Sequence, residues 1–256
     1  MIDRRWALIT GAAGGIGNCL VNEFVEAGYS VVAADITWDA SSVRNSSVYE
    51  LKVDLAELAM MPDLLASLQK QVGAITSGAG LKALVNNAAI QILGKTEDLS
   101  LDQWKATWNV NLHAPFLLIQ GFLESLTQNN GAVVNISSIH ASQTKRQFVA
   151  YATSKAALSS LTRNLAVDVG DKIRINAIEP AAVGTEMLRA SFEGDPERLA
   201  ALGRFHPMGR IAEPKEIAEL AVFLCSDKSH FVQGACISAA GGIHACLSDP
   251  DQKEGN

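Results

Sequence analysis

The chain has 256 residues, a length suited to one α/β domain, and 48% of them are hydrophobic, enough for a large core. Its 21 Lys and Arg against 27 Asp and Glu give a net charge of −6, and no basic run occurs, which argues against nucleic-acid binding. No stretch of eighteen apolar residues is present to cross a membrane. The segment Met1–Arg5 leads straight into an apolar run without a signal-peptide pattern, so a cytoplasmic location is expected. Cys19, Cys225, Cys236 and Cys246 show no Cys-x-x-Cys spacing, and the five histidines are scattered. Idle thiols in a reducing compartment, with no metal site, are the expectation.

The first apolar run, Trp6 to Thr10, fits a buried parallel strand. It enters Gly11-Ala12-Ala13-Gly14-Gly15-Ile16-Gly17, then a helical pattern that stops at Gly28. A second apolar run, Ser30 to Ala34, ends on Asp35, eighteen residues after Gly17. Strand, glycine turn, helix, strand and acid make a dinucleotide site. The glycines let the cofactor approach, the helix N-terminus faces a pyrophosphate, and the acid meets ribose hydroxyls. Further strands are expected near 48–53, 83–86, 131–136, 173–178 and 234–238. Helices are expected near 60–73, 101–127, 149–169 and 214–226, with short helical pieces in 186–205. The alternation implies a doubly wound, seven-stranded parallel sheet with helices on both faces and a single domain over 1–256. The strong motifs fall at the carboxyl ends of strands, where such sheets bind ligands.

Thirteen residues after Ser138 stands Tyr151, with Lys155 four further on. Residues i and i+4 share a helix face, and an ammonium beside a phenol favours the phenolate, lowering a pKa otherwise of about 10. Such a tyrosine can exchange a proton with an alcohol or carbonyl oxygen.

Taken together, Thr10-Gly11-x-x-x-Gly15-Ile16-Gly17 and Tyr151-x-x-x-Lys155 resemble the short-chain dehydrogenase/reductase family. Leu84-Val85-Asn86-Asn87-Ala88-Ala89, Asn109-Val110-Asn111-Leu112, Val134 to Ser138, Arg174 to Pro180, Pro207-Met208-Gly209-Arg210 and Gly241-Gly242 are similar to its later landmarks, in order. The resemblance implies an NAD-dependent oxidoreductase acting on a secondary alcohol or ketone. Tyr151 would be its acid/base, with Lys155 tuning it and holding ribose. Ser138 would bind the reacting oxygen, and Asn111 would hold a water that relays protons to the lysine. It also implies cofactor contacts from Gly11, Gly15, Ile16, Gly17, Asp35, Asp54, Leu55, Asn87, Val183 and Thr185. NAD is expected over NADP, because Asp35 repels a 2′-phosphate and Ile36-Thr37-Trp38 supplies no cation.

Analogy places Gln91, His140, Gln147, Met187 and Phe192 on the substrate wall, a mixed lining that suits a small polar or polyol-type substrate. His140 is equally readable as an ordinary loop histidine. The segment 186–206 is expected to cover the substrate. Apolar residues beyond one face of the helices near 101–127 and 149–169 point, with the family, to a homotetramer. Three residues depart from the pattern. Ala89 is a mild change. Ala181 replaces a glycine, which strains the chain if φ is positive there. Ala240 replaces an aspartate, a loss that bears on C-terminal packing or subunit contacts. An alternative reading is a catalytically inactive dinucleotide sensor or scaffold of the same fold. Epimerases and dehydratases of the extended relatives usually need more chain after Thr185.

Overall fold

The computed structural model describes residues 5–38, 42–190, 192 and 195–247. Strand β1 (Arg5–Thr10) leads through the glycine loop to α1 (Gly15–Glu26) and β2 (Tyr29–Asp35). Next come β3 (Ser42–Asn45), β4 (Val48–Lys52), α2 (Leu55–Leu58), α3 (Pro62–Ile75) and β5 (Ala83–Asn86). After α4 (Leu101–Trp108) a π-helical turn (Asn109–His113) passes directly into α5 (Ala114–Gln128). The second half holds β6 (Ala132–Ile136), α6 (Val149–Asp168), β7 (Arg174–Pro180), α7 (Glu186–Ala190), α8 (Pro196–Arg204), α9 (Pro214–Cys225) and β8 (Cys236–Ala239).

The strands form one sheet in the order β3-β4-β2-β1-β5-β6-β7-β8. Alternation along β1 builds both cores. Trp6 and Leu8 point to one face with Val32, Leu84, Val133 and Ile175, under Leu68 and Val72 of α3 and Leu118 and Phe122 of α5. Ala7 and Ile9 point to the other, with Val31, Val85 and Val134, under Leu20 and Phe24 of α1 and Ile217 and Ala221 of α9. Strands covered on both faces must be apolar at every position, which is why β1 and β2 read as unbroken runs. Phe24 is fully buried, and its truncation to alanine would cost about 3–5 kcal/mol.

Two expectations need correcting. The sheet has eight strands rather than seven, and β3 pairs antiparallel to β4 at the edge. An antiparallel partner needs only a tight turn, here secured by Ser47 N–H donating to Asn45 Oδ1 at 2.8 Å. The sequence Ser-Val-Arg-Asn is too short and polar to read as a strand. The helix expected over 101–127 is also interrupted by the π turn.

The chain crosses from one half of the sheet to the other between β1 and β5, and a crevice opens beyond their carboxyl ends. Thr10 and Asn87 stitch that crevice. Thr10 Oγ1 accepts from the Asn87 and Ala88 N–H groups at 3.0 and 3.1 Å, and Asn87 Nδ2 donates to the Thr10 and Gly11 carbonyls at 3.0 and 2.9 Å.

Candidate active site

Gly11 turns the chain with φ +62°, and a Cβ there would lie 2.7 Å from Ala88 Cα. A Cβ on Gly17 would overlap the Gly11 carbonyl. The N-cap of α1 is Gly14, with no side-chain cap and no acid in the first turn, so its leading N–H groups keep their capacity for an anion. Thr185 packs against Gly15, where a Cβ would come within 2.9 Å of the threonine Cβ. That contact brings the 183–185 segment onto the glycine loop.

Asp35 ends β2 and is buried. Its Oδ2 accepts from Ala13 N–H at 2.9 Å, and its Oδ1 from Thr37 N–H and Oγ1 at 2.9 and 2.8 Å. The carboxylate is thus fixed beside the glycine loop, with both acceptor sites of Oδ1 taken and one of Oδ2 open. Asp54 caps α2, its Oδ1 accepting from the Ala56 and Glu57 N–H groups at 2.8 and 3.2 Å, with Leu55 buried beside it.

Ser138, Tyr151 and Lys155 converge. Ser138 follows β6 and caps a short 3₁₀ turn, its Oγ accepting from His140 N–H at 3.1 Å. The same side chain is hydrogen-bonded to Tyr151. Lys155, 2% exposed, donates from Nζ to the Ile136 carbonyl at 2.7 Å and lies 5.8 Å from the Tyr151 ring centre. An ammonium carries three donors, so two remain for other acceptors. Burial governs both ionisations. It pushes the Tyr151 phenol above its ordinary range, with the Ser138 hydrogen bond pulling the other way. It drives the Lys155 ammonium from 10.5 down to about 7. The lowering expected from Lys155 is not what acts on the phenol here: its causes are burial, which raises it, and Ser138, which lowers it.

Asn111 sits fully buried in the π turn. Its Oδ1 accepts from Ile90 N–H at 2.9 Å, and its Nδ2 donates to the Ile90 carbonyl and to Ser154 Oγ, both at 3.0 Å. Both donors are therefore committed, and the side chain clamps the 90 loop to the helix that carries Tyr151.

Of the substrate-wall candidates, the structure brings His140 to Tyr151. The two rings are 6.1 Å apart edge to face, and Phe148 closes the cluster at 4.5 Å from His140 and 6.1 Å from Tyr151. His140 Nδ1 meets the Gln143 carbonyl at 3.1 Å, which assigns its proton to Nδ1. Burial lowers the His140 pKa. Gln91 and Gln147 are exposed, and Phe192 stacks on the Arg198 guanidinium at 5.4 Å. The side chain of Met187 lies outside the described residues.

Known proteins resemble this chain in sequence and in fold. A family model described as enoyl-(acyl carrier protein) reductase matches residues 11–244. Protein FixR of Bradyrhizobium diazoefficiens is 36% identical over 254 residues, spanning 93% of this chain and 86% of its own length. The D-threitol dehydrogenase of Mycolicibacterium smegmatis is 32% identical over 244 residues, spanning 94% of this chain and 93% of its own. The ligand-free structure of Thermoplasma acidophilum aldohexose dehydrogenase superposes with a TM-score of 0.86 at 29% identity, covering 97% of this chain and 98% of that one. The chain belongs to the short-chain dehydrogenase/reductase family.

Within this short-chain dehydrogenase/reductase, the Ala181 departure brings no backbone strain. Among the described residues the non-glycine residues with positive φ are Ser77, Asn130 and Gln147, so Ala181 carries no left-handed strain. Ala240 is buried and lines a cavity near the end of β8. Sequence reasoning missed Phe148 and Ser154. Phe148 looks like any apolar helix-leading residue, and Ser154 like any polar residue within Tyr-x-x-x-Lys. Only the fold sets one against Tyr151 and the other against Asn111. Among the described residues, no group of His, Cys, Asp or Glu could hold a metal, and no helix is long and apolar enough to cross a membrane.

Proposed function

We propose that the protein is an NAD-preferring oxidoreductase acting on a secondary alcohol or ketone, with a small polar or polyol-type substrate. The observation that carries this is the convergence of Ser138, Tyr151 and Lys155 at the same carboxyl edge of the sheet as the glycine loop. The site fits a dinucleotide: the uncapped α1 N-terminus suits a pyrophosphate, and the loop before it holds its tight turn only because side chains at Gly11 or Gly17 would collide with the neighbouring backbone. Asp35, Asp54 and Leu55, and Asn87 would hold the adenosine half, and Lys155, Val183 and Thr185 the nicotinamide half. The bound dinucleotide supplies hydride transfer.

The chain's own residues handle the oxygen and its proton. Ser138 donates to or accepts from the reacting oxygen and steadies charge as it develops. Tyr151 takes the hydroxyl proton in oxidation and returns one in reduction. The Ser138 bond favours the phenolate, against the burial that disfavours it. Lys155, anchored on the Ile136 carbonyl, keeps donors for ribose hydroxyls and for the phenolate. A π turn replaces i→i+4 bonds by i→i+5 and loosens the backbone, as where the Ala114 N–H donates to the Asn109 carbonyl. The proposed water relay therefore runs through backbone carbonyls of this turn, since the Asn111 side chain is committed.

NAD preference rests on the fixed Asp35 carboxylate, whose open Oδ2 site would accept from a ribose hydroxyl and whose charge repels a phosphate. A 2′-phosphate would have to rely on a cation such as Lys52, opposite Asp35 in the β2–β4 register. The test is absorbance of reduced cofactor during incubation with a panel of polyols, sugars and hydroxysteroids, using NAD and NADP in turn. Turnover with a higher kcat/KM for NAD is expected. Better use of NADP would refute the reading of Asp35. Tight NAD binding with no turnover on the panel would favour the sensor reading instead.

A further inference from the structure

The loop that joins Ser138 to Tyr151 carries the pair Lys145-Arg146, and no acidic residue occurs between Glu124 and Asp168. In a chain of net charge −6, this loop is locally basic. Both residues are exposed, and neither enters an ion pair among the described residues.

The loop is held on either side of the pair. Gln143 donates from Nε2 to the His244 carbonyl at 2.9 Å, and its own carbonyl meets His140 Nδ1 at 3.1 Å. The Gly94 N–H donates to the Gln147 carbonyl at 3.1 Å. Gln147 has φ +71°, a left-handed conformation that a residue with a side chain rarely adopts. Backbone of this kind persists only where its surroundings fix it, and it collects at ligand sites.

Lys145 is folded back onto the cluster around Tyr151. Its Nζ lies 4.6 Å from the centre of the Phe148 ring, and that centre is 6.1 Å from the centre of the Tyr151 ring. The ring face attracts the ammonium and restrains it, so less side-chain freedom remains to be lost when a ligand binds. The charge is felt inside the cluster. Burial is the largest cause that lowers the His140 pKa, and the Lys145 ammonium lowers it further. A charge two ring contacts from Tyr151 acts over a range comparable to the Debye length, about 10 Å at 0.1 M salt. It therefore acts on a substrate bound at Tyr151.

We infer that the substrate carries an anionic group, a carboxylate or a phosphate, beyond its reacting hydroxyl, and that Lys145, with Arg146 beside it, recognises that group at the mouth of the site. The inference rests on Tyr151 meeting the reacting oxygen, and it narrows the polyol-type substrate to an acidic one.

The probes are sorbitol, gluconate and sorbitol phosphate, which share a six-carbon chain and differ at its end. Each is titrated into the full chain saturated with NADH and followed by saturation-transfer NMR. Gluconate or the phosphate should bind roughly three- to tenfold more tightly than sorbitol at low salt, and the tighter of the two identifies the group. The advantage should shrink as salt rises to about 0.5 M. Lys145→Met keeps the length of the side chain and loses its charge, so the anion should fall to the affinity of sorbitol. Lys70→Met makes the same change of charge at an exposed position on α3, and should leave the advantage in place. Equal binding of all three probes, a preference that survives Lys145→Met, or one lost equally in Lys70→Met would overturn the anion site and leave the hydride-transfer reading standing. Failure of all three to bind would overturn the acidic polyol as substrate, and failure of NADH itself to bind would overturn the reading of the whole site.

Discussion

Tyr151 and Lys155 were legible from their spacing together with the glycine loop and the later motifs, yet their ionisation is a matter of burial. Tyr151→Phe removes the proton-transfer oxygen and little volume. It should lower kcat by roughly 10²–10⁴ with NAD affinity nearly unchanged, measured by steady-state kinetics and calorimetric titration. Near-native turnover would rule out the mechanism. Lys155 gives a stability signature as well. Its folded value of about 7 lies below the ordinary 10.5, so between these the unfolded chain binds more protons than the native one. Its contribution to stability is complete above 10.5 and lost as pH falls through 7. The cofactor-free protein should therefore gain on Lys155→Met as pH rises from about 7.5 to 9.5, by up to about 1.4 kcal/mol per pH unit. Tyr151 is shifted the other way, and its opposing effect begins only near its ordinary value of 10. Urea melts of both proteins across that window check this, and parallel stability curves would show that Lys155 keeps its charge.

Among the elements, α7 and α8 bear on substrate access. Their separation was legible in Gly194-Asp195-Pro196: Asp195 caps α8 through a bond from Arg198 N–H at 2.9 Å, and Pro196 opens the helix. Gly194 lies outside the described residues. Little of α8 is buried beyond Gly203, while Phe205 is 70% exposed, so few core contacts restrain the segment. We expect 186–206 to act as a lid. Hydrogen exchange should slow there when NAD and substrate are both bound, and equal strong protection with and without ligands would mark it as scaffold. The π turn was not legible. Asn109 to His113 reads as ordinary helix, and the Asn111 bonds to Ile90 and Ser154 join residues far apart in sequence.

For the whole molecule, the question is what covers the outer helix faces. The sequence offered Phe116, Leu117, Ile119, Phe122 and Leu123 as a second apolar face on α5. The structure buries Ile119 and Phe122 in the core and half-buries Leu117 and Leu123, leaving Phe116 exposed. Phe116 borders a shallow groove with Leu112 of the π turn and with Ala157 and Leu161 of the neighbouring α6. An apolar groove between two long helices suits a symmetric partner, and we expect a homotetramer. Light scattering should give about four times 27.2 kDa, and Phe116→Glu should reduce it. A 27.2 kDa particle at micromolar concentration would contradict the assembly.

The sequence by itself determined the parallel sheet, the glycine loop, Asp35 and the Ser138, Tyr151, Lys155 set. Each is written in local signals: an apolar run, a glycine where a Cβ would collide, or a spacing of four on one helix. Tertiary structure decided what those signals cannot carry. It placed Phe148 and His140 around Tyr151, committed the Asn111 side chain to Ile90 and Ser154, and relieved Ala181 of strain. It added β3 by a hairpin too polar to announce itself, and left His206 Nε2 buried without a hydrogen-bond partner. These depend on desolvation and on contacts between residues distant along the chain, and neither is encoded at any one position.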